Sequence, residues 1–449
     1  MNECSGSGSA SDGRGGVAAG LFISVMCWEQ EFADNRLSAV RRRKPGKSSA
    51  GKQGKLSGKL SRQKRPTWSV TSLVGHVWGI VPTLDWSIPG SIRSHPPAGL
   101  TLHMFAKAVS SGDISAVRAI LSSTGEIGLV DVAVNDKGDR PLHFAARAQR
   151  LDLIKCLIDE GSANPNLANA FGRRPLHEAI DSEECVEFLL QSGADPNGFK
   201  HGTWTPAMIA SGKNLLPTLS LLVRHGALLT PANKDGWTAL HIAAHHAATE
   251  CLEYLLTCAP ELSIAKSKCD RTPLHMAAST GFAAGLEMLL RNAKTFYEDT
   301  NVCDLKDAEG ATVFHAAAVG GSLECIDMCV QNGCDVHATS KGGLGAAHYA
   351  AMVGRVEVLR HLCGSRMDAT GGSAETVRKL VEHDTMEGFT PAHYAAREGH
   401  TGVIRQMFDP VPEGFGLNPT IQDFRGRTPL DIARAWKRED VIRYLEPLC

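Results

Sequence analysis

The chain has 449 residues, of which 43% are hydrophobic and 21% are charged, and its formal net charge is −1. This composition is ordinary for a soluble globular protein, and no apolar run approaches the roughly 20 residues that a membrane span needs. The charge is unevenly distributed. Residues 1–99 carry 14 Lys/Arg and 6 Asp/Glu, for a net +8, whereas residues 100–449 carry 33 and 42, for a net −9.

Residues 1–99 form a basic leader that lacks the pattern found in the rest of the chain. Arg36–Arg65 holds twelve Lys/Arg and no acidic residue, spaced by Gly, Ser and Pro. Such a segment has too little apolar surface to offset the entropy of ordering, so we expect the leader to be mostly disordered. Whether it functions at all or is an extension in front of the functional chain stays open.

Three interpretations of the basic run stay open. It is a plain solvated linker, a nuclear-import signal that binds an import receptor, or a contact for an anionic partner such as a nucleic acid. The residues of the candidate import signal are Arg41, Arg42, Arg43 and Lys44.

The remainder, residues 100–449, is organised as repeated units. The first unit predicts two short helices, Phe105–Asp113 and Ser115–Leu121, and resembles a cap because it lacks the motif of the later units. Three inserts lengthen later units, around residues 293–306, 364–386 and 409–420, and 374–383 predicts an extra helix. The units start near residues 101, 135, 169, 199, 233, 267, 307, 340, 385 and 423.

A motif of the form Arg271-Thr-Pro-Leu-His-Met-Ala-Ala278 recurs along the units at spacings between 31 and 45 residues. Proline is favoured at the first helical position, and paired alanines let helices pack closely, so the motif predicts the start of a helix. Met208 and Asp431 occupy the histidine position in two copies. The histidines of the motif are His143, His177, His241, His275, His315, His348 and His393.

The Thr-Pro-Leu-His-x-Ala motif and its period near 33 resemble the ankyrin-repeat family, from about Leu100 to Cys449. The resemblance implies an all-α solenoid of helix–turn–helix units with β-hairpin turns, and a concave groove that binds proteins. It also implies that the motif histidine braces its turn through hydrogen bonds to the backbone. A catalytic group has no reason to recur seven times along a solenoid, which favours this structural interpretation.

The thirteen cysteines predict a reduced, intracellular protein, cytoplasmic and/or nuclear. Cys185, Cys251 and Cys325 occupy an apolar position of the second helix, so we expect them to be buried thiols. The cluster of Cys325, Cys329 and Cys334 lacks the spacing of a zinc site. We therefore expect no metal, no cofactor and no catalytic residues.

The sequence favours a non-enzymatic scaffold, adaptor or regulator that binds one or more proteins in the groove, and we expect it to be a monomer.

 

The alternative is a regulatory or substrate-recruiting subunit of an enzyme or channel whose activity lies in the partner. Contacts are expected at variable turn and first-helix positions, where aromatic and arginine side chains are the residue types enriched at binding hot spots. The expected contact residues are Phe171, Arg173, Trp204, Lys234, Asp235, Trp237, His245, His246, Arg271, Phe389, Phe424, Arg425, Arg427 and Trp436.

Overall fold

The computed structural model describes residues 98–124, 129–297, 302–363, 385–410 and 413–449. All of them belong to one compact unit, Ser91–Cys449. The leader with its basic run Arg36–Arg65, the candidate import signal Arg41–Lys44 and the expected extra helix at 374–383 lie outside the described residues.

The described residues form ten consecutive pairs of helices, which we number as repeats 1 to 10 in chain order. The helices of repeats 1 to 5 are α1 Ala98–Ser111, α2 Ile114–Thr124, α3 Pro141–Arg147, α4 Leu151–Lys155, α5 Pro175–Glu178, α6 Glu183–Gln191, α7 Pro206–Gly212, α8 Leu216–Arg224, α9 Ala239–His245 and α10 Thr249–Cys258. Those of repeats 6 to 10 are α11 Pro273–Thr280, α12 Ala283–Phe296, α13 Val313–Gly320, α14 Leu323–Gln331, α15 Ala346–Val353, α16 Val356–Cys363, α17 Pro391–Glu398, α18 Thr401–Phe408, α19 Pro429–Ala435 and α20 Glu439–Leu445.

Short helical turns accompany three of the pairs. A π-helical turn, Cys156–Glu160, continues α4. Single 3₁₀ segments at Leu129–Asp131, Pro260–Ile264 and Val302–Asp304 precede the loops of repeats 2, 6 and 7.

The first helix of repeat 6 shows how the motif starts and stops a helix. Thr272 is extended, with φ −98° and ψ 168°, and Pro273 follows at the first helical position, where its missing N–H is not needed. Gly281 ends the helix in the left-handed region, with φ 72°, which glycine adopts at little energetic cost. The local sequence therefore sets both ends of this helix.

The repeats stack because first helices contact first helices and second helices contact second helices of the neighbouring repeats. Small side chains fill the first-helix interface, where Ala277 and Ala278 are fully buried. Cys185, Cys251 and Cys325 are at most 1% exposed in the second helices, so their predicted burial is confirmed. This continuous core replaces the single central core of a globular domain.

The loops that precede the first helices turn back as hairpins and touch one another in sequence order. In repeat 3, for example, the Ala170 amide donates a hydrogen bond to the Lys137 carbonyl of the preceding loop at 2.9 Å. Equivalent bonds join every neighbouring pair of loops from repeat 2 to repeat 10. Within the described ranges, extended pairing inside the loops is limited to two isolated bridges, Lys200 with Trp204 and Lys306 with Thr312.

No helix in the described ranges combines the length and the apolar character that crossing a bilayer requires.

Candidate binding surface

The motif histidines join each repeat to the next. In repeat 6, the Thr272 amide donates to His275 Nδ1 at 3.3 Å, and His275 Nε2 lies 3.3 Å from the Ala311 carbonyl oxygen of repeat 7. Because Nδ1 accepts a hydrogen bond, the ring proton resides on Nε2, which donates to the carbonyl. The imidazole therefore bonds its own helix start and also the loop of the following repeat.

All seven histidines make this pair of contacts. The Nε2 atoms of His143, His177, His241, His315, His348 and His393 lie 2.9, 3.3, 3.1, 3.1, 3.1 and 3.0 Å from the carbonyl oxygens of Arg173, Trp204, Arg271, Leu344, Phe389 and Arg427.

Burial keeps these imidazoles neutral. The pKa of His275 is lowered to about 3, first by burial and then by the positive charge of Arg271. Burial likewise lowers the pKa of His241 and of His315 to about 4. A neutral ring that donates to one carbonyl and accepts from one amide is a structural link, and its protonation state does not change near neutral pH.

The two motif copies that lack histidine each cap the start of their own first helix with a different group. Met208 is buried, and its own amide donates to the Thr205 hydroxyl at 3.3 Å, so the helix start is capped without a link to repeat 5. Asp431 lies in repeat 10, where it accepts from the Thr428 amide at 2.9 Å. The Asp431 carboxylate therefore caps the start of its own helix.

The carbonyls that receive these bonds belong to one position of the repeat. It lies four residues before the position that the motif histidine, or Met208 or Asp431 in its place, occupies. We call the side chains at this position the row. Successive repeats place their row residues next to one another, and the side chain is free to vary because only the backbone is held. The row consists of Asp139, Arg173, Trp204, Trp237, Arg271, Ala311, Leu344, Phe389 and Arg427.

The row is ionic in repeats 2 and 3. Arg147 forms ion pairs with Asp139 at 3.2 Å and with Glu178 at 2.9 Å, and Glu178 also pairs with Arg173 at 3.3 Å. The carboxylates of Asp139 and Glu178 are almost entirely buried, and each is compensated by a guanidinium and, for Asp139, by two asparagine side chains. These hydrogen bonds and charges keep the pKa of both carboxyl groups below its ordinary value in spite of burial.

The row changes character in repeats 4 to 6. Trp204 is buried, with 8% of its surface exposed, so it offers little side-chain surface to a partner. Trp237 is half-buried, and its ring lies 5.2 Å from the ring of His245, which in turn lies 5.2 Å from the ring of His246. Burial, His246 and Arg271 together lower the pKa of His245 to about 4. The structure thus brings four of the expected contact residues into one cluster: Trp237, His245, His246 and Arg271.

The row is aromatic and basic in repeats 9 and 10. The Arg427 guanidinium lies over the Phe389 ring at 5.3 Å and pairs with the buried Asp423 carboxylate at 2.8 Å. Phe389 also contacts the ring of Tyr394 at 5.5 Å, and Arg397 lies over that ring at 4.9 Å. Stacked rings and guanidinium groups make a stiff surface with both apolar and cationic parts.

The loop ends beside the row carry the most exposed apolar side chains of the surface. Phe171 and Phe424 are 51% and 70% exposed. Trp436, which directly follows the first helix of repeat 10, is 57% exposed. Lys234 and Arg425 are exposed at neighbouring loop ends, and Asp235 is half-buried.

Sequence reasoning missed several residues of this surface. Met386 is 73% exposed at the loop end of repeat 9, and Tyr394 and Glu178 lie directly after their motif histidines, against row residues. Counting positions relative to the motif histidine in each copy would have identified the row, because every row residue stands at the same offset.

The thiols do not assemble a metal site. Cys325, Cys329 and Cys334 are buried, and in the part of the chain that the structure describes no three Cys, His, Asp or Glu side chains converge as metal ligands would.

A stack of ten helix pairs, linked through a motif histidine in seven of them and displaying a row of variable side chains, defines a helical repeat array built for protein–protein interaction. The family described as "Ankyrin repeats (3 copies)" matches residues 102–200, 198–266, 252–338, 274–370 and 366–447. The chain therefore belongs to the ankyrin-repeat family, as its motif predicted.

Relatives carry similar repeats within much longer proteins. The human "Transient receptor potential cation channel subfamily A member 1" is 28% identical over an alignment that covers 70% of this chain and 33% of the channel. The "E3 ubiquitin-protein ligase KEG" of Arabidopsis thaliana is 24% identical, with 74% of this chain and 19% of the ligase covered. The chain thus spans a third or less of these relatives. Among solved structures, the ankyrin repeat domain of Bcl-3, a member of the IkappaB protein family, is 25% identical. The match covers 47% of this chain and 94% of the Bcl-3 chain, with a TM-score of 0.40.

Proposed function

We propose that this protein is a non-enzymatic adaptor or regulator that binds a partner protein along the row and the adjacent loop ends. The observation that supports this is the contrast between a fixed backbone and varied side chains. Seven of the nine row carbonyls are held by a histidine of the preceding repeat, while the row side chains run from ionic through aromatic to basic. A rigid scaffold that positions varied side chains is how binding surfaces are commonly built.

The loop ends supply the apolar part of the proposed contact. Exposed aromatic side chains on a positioned backbone contribute large contact area at a small entropic cost on binding, and they are enriched at hot spots. Phe424 and Met386 meet this description, since the Phe424 amide bonds to the Glu387 carbonyl and the Met386 amide to the Gly342 carbonyl of the preceding loops.

The test replaces these exposed side chains and compares them with other exposed apolar side chains elsewhere. The surface variant combines Met386→Ser with Phe424→Ser. The control variant combines Leu228→Ser with Phe296→Ser, whose side chains are 58% and 55% exposed outside the row and the loop ends. Both variants lose similar apolar area, so a general effect of hydrophobicity is matched.

Affinity capture from native extract, quantified by mass spectrometry, gives the readout. We expect proteins that are captured equally by the wild type and the control variant to be lost from the surface variant, by about tenfold or more for a combined hot-spot contribution of about 1.4 kcal/mol or more. Equal losses in both variants would show that the captured proteins bind elsewhere.

A second candidate function follows from the relatives. Because similar repeats occur within a channel and within a ubiquitin ligase, we also consider a regulatory or substrate-recruiting subunit whose activity lies in the partner. A stoichiometric enzyme or channel among the proteins lost from the surface variant would favour this role over a passive scaffold.

Location and assembly state are part of the proposal. Free cysteines buried in the second helices are compatible with a reducing compartment, which supports a protein that works in the cytoplasm, the nucleus or both. We propose that it acts as a monomer, with the basic leader available to an import receptor or an anionic partner.

A further inference from the structure

The row contains three arginines in equivalent positions, and their surroundings differ. Arg173 pairs with Glu178 at 3.3 Å, and Arg427 pairs with Asp423 at 2.8 Å. Among the described residues, no carboxylate forms an ion pair with Arg271, and its Nε atom is buried without a hydrogen-bond acceptor. A guanidinium is always charged in proteins, so this site holds a positive charge that the fold does not compensate by contact.

The carboxylate whose charge acts most strongly on Arg271 is already engaged. Asp307 Oδ1 accepts hydrogen bonds from the Glu309 and Ala311 amides at 3.0 and 2.8 Å, which shape the loop of repeat 7. Its charge acts on Arg271, yet burial still raises the pKa of Asp307 above its ordinary value. Asp307 therefore moderates the field at Arg271 without satisfying the guanidinium.

The side chains around Arg271 favour an anion. His245 lies close enough for the charge of Arg271 to oppose its protonation, and His245 packs against Trp237 at 5.2 Å between ring centres. The Arg271 Nε atom is itself buried, and low exposure to water strengthens a charge-assisted hydrogen bond.

We propose that Arg271 binds the carboxylate of an aspartate or glutamate side chain presented by the partner protein. The proposal rests on the function proposed above and names the chemistry that one part of the row recognises. A guanidinium presents parallel N–H groups that match the two oxygens of a carboxylate. A singly charged group fits better than a doubly charged phosphate, because Asp307 and the single unpaired guanidinium leave little positive charge in excess.

The experiment uses the full chain labelled with ¹⁵N at arginine Nε and ¹³C in the histidine rings. The probes are three blocked tripeptides, Ala-Glu-Ala, Ala-Gln-Ala and Ala-phosphoserine-Ala. We expect Ala-Glu-Ala to shift the Arg271 Nε–H and His245 ring signals in a saturable way. Ala-Gln-Ala should bind at least about tenfold more weakly, because it lacks the charge that strengthens the hydrogen bond.

Variants separate the site from general electrostatic attraction. Arg271→Gln should abolish the saturable shift of the His245 signals, and Arg271→Lys should weaken it because the fork of N–H groups is lost. Arg291→Gln is the matched control. It removes the same charge from the second helix of repeat 6, where the exposed Arg291 pairs only with Glu287 of its own helix, and it should leave binding unchanged.

Each outcome decides the proposal. Equal binding of Ala-Glu-Ala and Ala-Gln-Ala, or saturable shifts that persist in Arg271→Gln, would overturn it. Tighter binding of the phosphoserine peptide would overturn the assignment to a carboxylate.

If the Met386→Ser/Phe424→Ser variant loses its captured proteins while Ala-Glu-Ala leaves Arg271 unshifted, only the carboxylate site is wrong. Binding of Ala-Glu-Ala at Arg271 in a protein whose capture is indifferent to the surface variant would instead contradict the proposed function.

Discussion

The junction between repeats 6 and 7 differs from the junction between repeats 4 and 5 in the side chain that stands at the motif position. His275 accepts from its own helix start and donates to the Ala311 carbonyl of the next repeat. Met208 is equally buried but makes neither bond, and the Thr205 hydroxyl caps its helix. Loop-to-loop bonding persists at both junctions, through Ala308 to Cys269 and through Lys234 to Gly202.

The comparison separates two tasks that the histidine performs. Starting the first helix requires only a cap, which threonine supplies in repeat 4. Coupling one repeat to the next gains an additional hydrogen bond only where histidine is present. In a linear array each such bond acts mainly on the two repeats it joins, because stability is close to a sum over neighbours.

The largest effect should come from removing the link altogether. We expect His275→Ala to lower the free energy of unfolding by roughly 1–3 kcal/mol, because the Thr272 amide loses its imidazole acceptor and the Ala311 carbonyl keeps only the Asp307 amide as a donor. Hydrogen exchange should quicken first in repeats 6 and 7. The control is His275→Met, which retains side-chain volume and should be less damaging. Uniform loss of protection along the whole array would contradict a local link.

The next effect concerns pH. Burial lowers the pKa of His275 to about 3, whereas the unfolded side chain titrates near its ordinary value of about 6.5. Between these values the unfolded chain binds more protons, so the stabilising contribution is complete above about pH 6.5 and is lost as the pH falls toward 3. In His275→Met, the slope of stability against pH in this window should be shallower by up to about 1.4 kcal/mol per pH unit. Urea unfolding at pH 7 and pH 5 measures it, and parallel slopes would refute the prediction.

A smaller gain is expected from making the weaker junction resemble the stronger one. Met208→His places an imidazole before the Trp237 carbonyl of repeat 5, and one added hydrogen bond contributes about 0.5–1.5 kcal/mol. Hydrogen exchange should show that repeat 4 is among the least protected interior repeats in the wild type. Its amides should exchange more slowly in the variant. Ile209→Val is a neighbouring substitution without a new donor and serves as the control. If repeat 4 exchanges as slowly as repeats 5 and 6 before the substitution, the missing link has no consequence.

The smallest effect is expected at the last repeat. Asp431 caps its own turn by accepting from the Thr428 amide and hydroxyl at 2.9 and 2.8 Å. Asp431→Ala should lower the free energy of unfolding by about 0.5–1 kcal/mol, as expected for a lost helix cap. Asp431→Asn should retain most of the stabilisation that the cap provides. Thermal unfolding of both variants provides the measurement, and a larger loss in Asp431→Asn than in Asp431→Ala would refute the capping role.

The sequence by itself determined the architecture, because its signals are local and recur. Pro273 at a helix start, Gly281 at a helix end and the position of His275 each act within a few residues, and their repetition fixes the period of the stack. The burial of Cys185, Cys251 and Cys325 followed from the same periodicity.

Only the tertiary structure decided what each row side chain meets, because part of its surroundings comes from adjacent repeats about one period away in the chain, as where Arg147 pairs with Glu178 and Arg427 lies over Phe389. The same residue type is paired at Arg173 and at Arg427 but not at Arg271, since the carboxylates of Glu178 and Asp423 have no counterpart in repeat 6. Trp204 and Trp237 occupy equivalent positions, yet the first is buried and the second is half-buried beside His245. Burial and charge compensation depend on packing across the junctions, which a local motif does not encode.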